Sequence, residues 1–540
     1  MTLAQQGNGN NTDEDLLPDI DPQDIEIRSD YQPRFPGLRR QPILGFDPRP
    51  RVYQMNPNRM PFMETREEVV ASVPVSRLKV PGAPLRSTIA YPDPNAFYTR
   101  IGLGMYMTPD VSIAFNEYQN STRFISNLNF LSSNGADQAY NNSFRNADGY
   151  LGFTHSDDGR RWTVLAHGLA DMNYMPFQAD STLKKSMQGG GISAEIQAVR
   201  NTFNITSLSV DYNYSEQDIT SLYMNHRIGA NFTKTLPGKV QNSKWEFSAD
   251  AQTSFYEYTA VQSQSDQWLI GSLSMAYQYR TDYSKAFRWG LSAHYSDDAG
   301  GSGFMIYPEL RFQYWGFSNV EITMGLDGNV TNPGLSGWYE ENRFLANAQD
   351  YENHRGFRVY TNLTYQLSER NEFYTGFEAN RYTNTGVILT QYIPPAPATP
   401  ETILNGVAYD EAQITRFHVG YALHSEAKKL TLKTELYYQH HITDQLAEMP
   451  YLPKYGTDIS IIYSYNEKWK NRFWIDASGG REEARASQAY VLAGLDSQYW
   501  ISDRFSIYVK ALNLLNQSYE LWSGYEELPL TVLGGITFKF

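Results

Sequence analysis

The chain has 540 residues, a net charge of -14 and no cysteine, with 14% aromatic but only 19% charged residues. That charge excludes a nucleic-acid partner, which needs a basic footprint, and the missing cysteine excludes disulfides, cysteine-ligated metal and a lipid anchor on cysteine. Mean hydropathy is -0.52, so the aromatics are diluted by Ser, Thr, Asn, Gln and Gly, as in a wall that is apolar on one side and wet on the other.

The chain opens Met1-Thr2-Leu3-Ala4-Gln5-Gln6, without the basic and apolar parts of an export signal. Leu3-Ala4-Gln5 reads as the surroundings of a cleavage site, so a processed or truncated chain is expected. Fourteen of the 26 prolines lie before residue 96. Proline cannot donate to a strand ladder, so 1–96 is expected to be an irregular periplasmic or lumenal segment and 97–540 a sheet. Within that segment an acidic stretch at 11–30 precedes a basic one carrying Arg34, Arg39, Arg40, Arg49 and Arg51.

From Phe97 onward the pattern has period two. Trp245, Phe247, Ala249, Ala251 and Phe255 alternate with Glu246, Ser248, Asp250, Gln252 and Ser254, and Phe505, Ile507 and Val509 with Ser506, Tyr508 and Lys510. Strands are expected at 97–107, 111–119, 122–132, 147–156, 161–174, 190–199, 202–214, 221–233, 243–257, 267–280 and 286–296. The second half follows at 303–316, 318–329, 355–368, 371–383, 412–426, 429–442, 456–467, 470–482, 488–501, 504–516 and 530–540. Strands of a soluble sandwich run about five or six residues, whereas membrane-barrel strands need about 9–11. Only helices and closed barrels satisfy every backbone polar group in lipid, and no stretch of the chain reaches the roughly 18 consecutive apolar residues of a spanning helix. The expected fold is all-β, a transmembrane antiparallel barrel of about 22 strands.

After the second strand, every second link is short, and most of the alternate ones are long (133–146, 175–189, 330–354, 384–411, 443–455 and 517–529). Bacterial barrels have short periplasmic turns and longer outer loops, which puts both ends of the barrel in the periplasm and requires an even strand number. The chain ends Gly535-Ile536-Thr537-Phe538-Lys539-Phe540. Gly535, Phe538 and Phe540 resemble the signal read by the outer-membrane assembly machinery, which makes that machinery, with outer-membrane lipid, an expected partner.

Leu512-Asn513-Leu514-Leu515-Asn516-Gln517-Ser518-Tyr519 resembles the N-L-F-D-x-x-Y segment before the last strand of TonB-dependent receptors, and 101–135 looks like the early barrel strands of receptor-like proteins of the Bacteroidota. The resemblance covers 97–540. It implies a barrel of about 22 strands whose lumen is filled. The N-terminal segment departs from the family, being too short and too Pro-rich for a receptor's α/β plug. Glu67-Glu68-Val69-Val70-Ala71-Ser72-Val73 resembles a TonB box, but a box precedes a plug, and the barrel begins about 25 residues later. That placement speaks against TonB as a partner.

A barrel this wide needs an occluding element: the N-terminal segment, inward-folded loops or a partner protein. For the first, the Arg34–Arg51 cluster is expected to pair with inward carboxylates such as Glu246, Asp250, Glu378 and Glu435. Loop aromatics, Trp338 and Tyr339 with Arg343 in one long loop and Trp522 and Tyr525 in the last, are expected to touch a ligand or a partner. No G-x-S-x-G occurs, His440 and His441 point to opposite faces of one strand, and Asp297-Asp298 with Gly300-Gly301 reads as a solvated loop. No enzymatic activity, metal or cofactor is expected. The expected function is uptake or passage of a solute by a receptor-like barrel in the outer membrane of a Gram-negative cell. The alternative is a non-transporting structural or assembly subunit of a larger membrane complex.

Overall fold

The structure, a computed structural model, describes Ala96–Phe540 apart from breaks at 137–141, 158, 175–183, 202–203, 220–221, 260–262, 282–283, 318, 348–351, 394–401, 426–428, 447–448, 467 and 483–485. Its strands begin with β1 (Ala96–Gly104), β2 (Thr108–Gln119), β3 (Thr122–Ser133), β4 (Phe144–Asp157), β5 (Arg160–Tyr174), β6 (Lys184–Asn201), β7 (Asn204–Asp218) and β8 (Leu222–Pro237). Next come β9 (Ser243–Thr259), β10 (Ser263–Arg280), β11 (Lys285–Asp297), β12 (Gly303–Phe317), β13 (Val320–Thr331), helix α1 (Gly334–Glu341), β14 (Leu345–Asn347) and β15 (His354–Ser368). The rest are β16 (Asn371–Ile393), β17 (Thr402–His424), β18 (Leu430–Thr443), β19 (Tyr455–Ser464), β20 (Trp469–Gly479), β21 (Ala489–Ser502), β22 (Phe505–Leu512), β23 (Glu520–Trp522), β24 (Tyr525–Glu526) and β25 (Thr531–Lys539).

Twenty-two of these strands form the wall, each antiparallel to the next, and the ring closes where β1 pairs β25. At that seam Ile101 faces Ile536 and Thr99 faces Phe538, and the backbones of Phe97 and Phe540 exchange two hydrogen bonds of 3.1 and 2.9 Å. Closure leaves no open edge, which is what lets a sheet stand in hydrocarbon.

The alternation settles which side is which. On β9, Trp245 and Phe255 are exposed on the outside, while Ser254, between their rows, is fully buried on the inner side. Leu269, Leu273 and Met275 of β10, and Leu291 of β11, continue the outer apolar band. The inner side is polar and paired: Arg288 bridges Glu246 (2.7 Å) and Glu309 (3.0 Å) across β9, β11 and β12, Arg358 meets Asp327 at 2.8 Å, and Arg100 meets Asp110 at 3.1 Å. Among the described residues no helix is long and apolar enough to cross a membrane.

Three differences from the expected elements lie at the end opposite the termini, here called the loop end. Of residues 384–411, expected as one long loop, 384–393 and 402–411 instead prolong β16 and β17, with Val387, Ile388 and Ile403 buried. β6 starts at Lys184 rather than 190, and its Lys185 and Met187 are fully buried. The loop after β13 contains α1 and β14, and β14 adds to β17 in parallel. In each case the apolar residues are buried by other loops, a partner that strand periodicity does not report.

Leu273, midway along β10, is 65% exposed. Leu273→Arg is expected to lower stability in a bilayer by about 2–4 kcal/mol, measured as the denaturant midpoint in lipid vesicles. An unchanged midpoint would mean that this side never meets lipid.

Candidate functional site: a loop cap in the barrel mouth

Pro333 opens α1, and Gly334, at φ +65°, makes the bend that turns the chain into the lumen. Asn332 fixes that entry: its Oδ1 accepts the Gly334 N–H at 2.8 Å, and its amide donates to Asn353 Oδ1 at 2.9 Å. Leu335, Trp338 and Tyr339 follow at i, i+3 and i+4, one face of a helix, and all three are buried. Asn342 ends the helix, its N–H bonding Trp338 O at 2.9 Å and its Oδ1 accepting from Phe344 N at 2.8 Å.

This short helix reaches both sides of the wall. Trp338 lies flat on Gly386 of β16, where an added Cβ would stand 2.4 Å from the indole ring. On the other side α1 approaches β7 and β8. Tyr339 donates its hydroxyl to Asp171 of β5 and accepts from Asn173 Nδ2 at 2.8 Å. Lys185 of β6, fully buried, donates to Leu345 O at 2.6 Å and lies 4.9 Å above the Tyr339 ring.

The last long loop closes from above. Its hairpin, β23 and β24, turns at Gly524 (φ +82°) and stacks Tyr525 on Phe344 with centroids 3.8 Å apart and an 11° interplanar angle. Arg343 holds both oxygens of Glu527 at 3.0 Å. Trp522 packs on Tyr451 from the β18–β19 loop, 4.6 Å between centroids. Arg481, 2% exposed, ties three loops by donating to the carbonyls of Tyr451, Ser487, Glu520 and Leu521. The result is an apolar core built from loops, with polar anchors round its edge.

The expected ligand-contact aromatics Trp338, Tyr339, Trp522 and Tyr525 thus come together in one place, with Arg343, but they are buried and face one another. Of the expected docking carboxylates, Glu246 holds Arg288 and Lys244, and Glu435 accepts from Arg416 and from Tyr374, both at 3.3 Å. Glu378 accepts from Asn380 at 2.9 Å, and Asp250 bonds Gln252 and Asn231. Arg34, Arg39, Arg40, Arg49 and Arg51 lie outside the described residues. Gly535 sits under the Tyr508 ring, Phe538 packs on Phe505 at 5.0 Å, and Phe540 on Phe97 at 6.0 Å. The side chain of Asp298, expected in a solvated loop, is buried and takes Arg355 at 2.5 Å and the N–H groups of Asn353 and Gly300 at 2.9 Å. Among the described residues no cluster of three or more His, Cys, Asp or Glu could hold a metal ion.

Sequence reasoning missed Asp171, Lys185, Tyr451 and Arg481. Each is joined to residues far away in the chain. A Lys and an Asp on inner positions of strands near a long loop were the available signal, and it is weak.

Burial, then the Asp171 carboxylate beside it, pushes the Tyr339 phenol well above its ordinary range. A raised folded value stabilises the cap fully below the unfolded value near 10 and loses that contribution as pH climbs above it. Proteolysis within 334–347 is therefore expected to be slow and flat from about pH 6 to 9 and to accelerate above about pH 10; Tyr339→Phe makes the rise smaller, and burial of Tyr519 and Tyr525, raised likewise, accounts for what is left. The partly exposed Arg343–Glu527 pair is expected to show about 1 kcal/mol of coupling in a double-mutant cycle with Arg343→Leu and Glu527→Leu; additive effects would mean that the pair does not hold the two loops together.

No family model matches the chain, and no curated protein matches it. Solved structures do. The FrpB iron transporter from Neisseria meningitidis superposes with a TM-score of 0.65 at 8% identity, covering 83% of this chain and 82% of its own. The siderophore receptor PiuA from Acinetobacter baumannii gives 0.63 at 10%, covering 84% and 82%. The pyoverdine outer membrane receptor FpvA from Pseudomonas aeruginosa PAO1 gives 0.63 at 10%, covering 84% and 79%. At such identities the likeness is one of fold: this chain is a closed 22-strand antiparallel barrel of the same build as these outer-membrane receptors and transporters.

Proposed function

We propose that the chain is a receptor-like barrel of the Gram-negative outer membrane that takes up or passes a solute, with its outer mouth shut by its own loops. The observation that carries this reading is the cap: buried aromatics from the β13–β15 and β22–β25 loops, joined by Tyr451, meet over a polar lumen. A structural peg needs no hydrated interior, and an open pore needs no cap. The fold neighbours support transport as the general role, since they include an iron transporter, a siderophore receptor and a pyoverdine receptor. None of those solutes is assigned to this chain.

In this reading both ends of the barrel, Ala96 and Phe540, lie on the periplasmic side. The links at their end run from two residues, as at 120–121, to five, as at 425–429, while those at the loop end reach 332–353 and 513–530. The segment Glu67–Val73, which resembles a TonB box, lies outside the described residues.

In planar bilayers the full chain is expected to conduct little. Replacing 334–347 by a short Gly/Ser bridge should raise single-channel conductance at least tenfold, and deleting 1–90 separately reports what that segment contributes to closure. Full conductance in the intact chain would overturn closure by the cap. A barrel that stays shut without the cap, and that purifies with a stoichiometric membrane partner, is the structural subunit instead.

A further inference from the structure

A cavity of about 100 Å³ lies between the cap and the wall. It is on the scale of the roughly 150 Å³ engineered cavities that take up benzene, and it is open on one side. Its roof is the Phe344–Tyr525 stack, with Arg343 and Glu527 beside it.

The two flanks differ in chemistry. On one, Trp474, Leu492 and Leu512 of β20, β21 and β22 present an apolar surface. Trp474 is held against the wall by Gly494, where an added Cβ would stand 2.2 Å from the indole. That close approach keeps the ring down and leaves the space above it. On the other flank, Asn146 and Asp171 are register partners on β4 and β5. Tyr339 occupies Oδ2 of Asp171, and no described residue donates to its Oδ1. The Asn146 side chain has no hydrogen-bond partner among the described residues.

We propose that this cavity binds a single aromatic ring bearing a hydroxyl on one edge, a phenol-type group. The hydroxyl donates to Asp171 Oδ1 and accepts from the Asn146 amide, while the ring lies between Trp474 and the roof. A pyranose fits poorly, because hydroxyls run round its whole rim. Those turned to Trp474, Leu492 and Leu512 would lose water without gaining partners. A wholly apolar ring fails for the opposite reason, since it strips water from Asn146 and Asp171. The site stands whether or not a solute crosses the barrel, because binding is read without transport.

The test uses the full chain in detergent with 4-fluorophenol as probe, followed by ¹⁹F relaxation. Trp474→Leu and Asn146→Leu proteins serve as references that subtract uptake by micelles. Broadening by the wild-type chain is expected, at least tenfold weaker in both variants, with 4-fluorotoluene binding at least tenfold more weakly than 4-fluorophenol. If Trp474→Leu fails to give a heat-modifiable barrel, Asn146→Leu decides alone. Equal broadening by wild type and variants would overturn the site, and equal binding of the two probes would overturn the hydroxyl-reading edge.

Discussion

Every backbone N–H and C=O that enters hydrocarbon must find its partner within the protein, and nearly everything else in this structure descends from that demand. A sheet meets it only by closing, and the β1–β25 ladder from Tyr98–Lys539 to Gly104–Leu533 is where this one does so. The side chains then sort themselves by solvent. Ile101, Leu273 and Val509 turn outward, and Arg100, Ser272 and Lys510 turn inward on the alternate positions. Twenty-two strands make a wide ring, so solving the backbone problem creates a second one, an interior too large for wall side chains to fill.

The loops answer part of that second problem by the means a soluble core would use. Each buried aromatic contributes roughly 1.5–3 kcal/mol, and Trp338, Phe344, Tyr451, Trp522 and Tyr525 gather those gains in one cluster at the loop end. Loops that bury apolar surface together still have backbone groups to satisfy. The polar anchors supply that need: Arg481 covers four carbonyls, and Lys185 covers Leu345 O. The cap is thus a small folded core seated in a barrel. It is fastened to β5 and β6 by a few hydrogen bonds, and to β16 and β17 by packing, by the short β14–β17 ladder and by the hydroxyl bonds of Thr390 with Tyr451 and of Tyr392 with Ser523.

The wall was legible in the sequence, and the cap was only half so. Period-two runs such as 243–257 report which face meets which solvent, and that contrast is local, so the strands, their number and the alternation of links can be read from it. Trp338, Tyr339, Arg343, Trp522 and Tyr525 could be picked out because large aromatics beside charges are unusual in long loops. Their direction could not be read, because it depends on Gly386, Asp171 and Glu527, which are distant in sequence. Residues 384–411 misled for the same reason. A polar, Pro-containing stretch resembles a free loop unless Val387, Ile388 and Ile403 are known to be buried.

The charges inside the wall limit what can occupy it. Arg288 is shared between Glu246 and Glu309, Arg358 is committed to Asp327, and Arg416 to Glu435. In a partly desolvated lumen, separating such a pair costs more than its formation contributes. A cation arriving from a solute therefore finds Glu246, Glu309, Asp327 and Glu435 already paired with arginine, whereas Asp250 and Glu378 hold neutral amides. A neutral solute meets no such competition. Charge is blunted at those four carboxylates, which raises the weight of shape and aromatic contact at the cap.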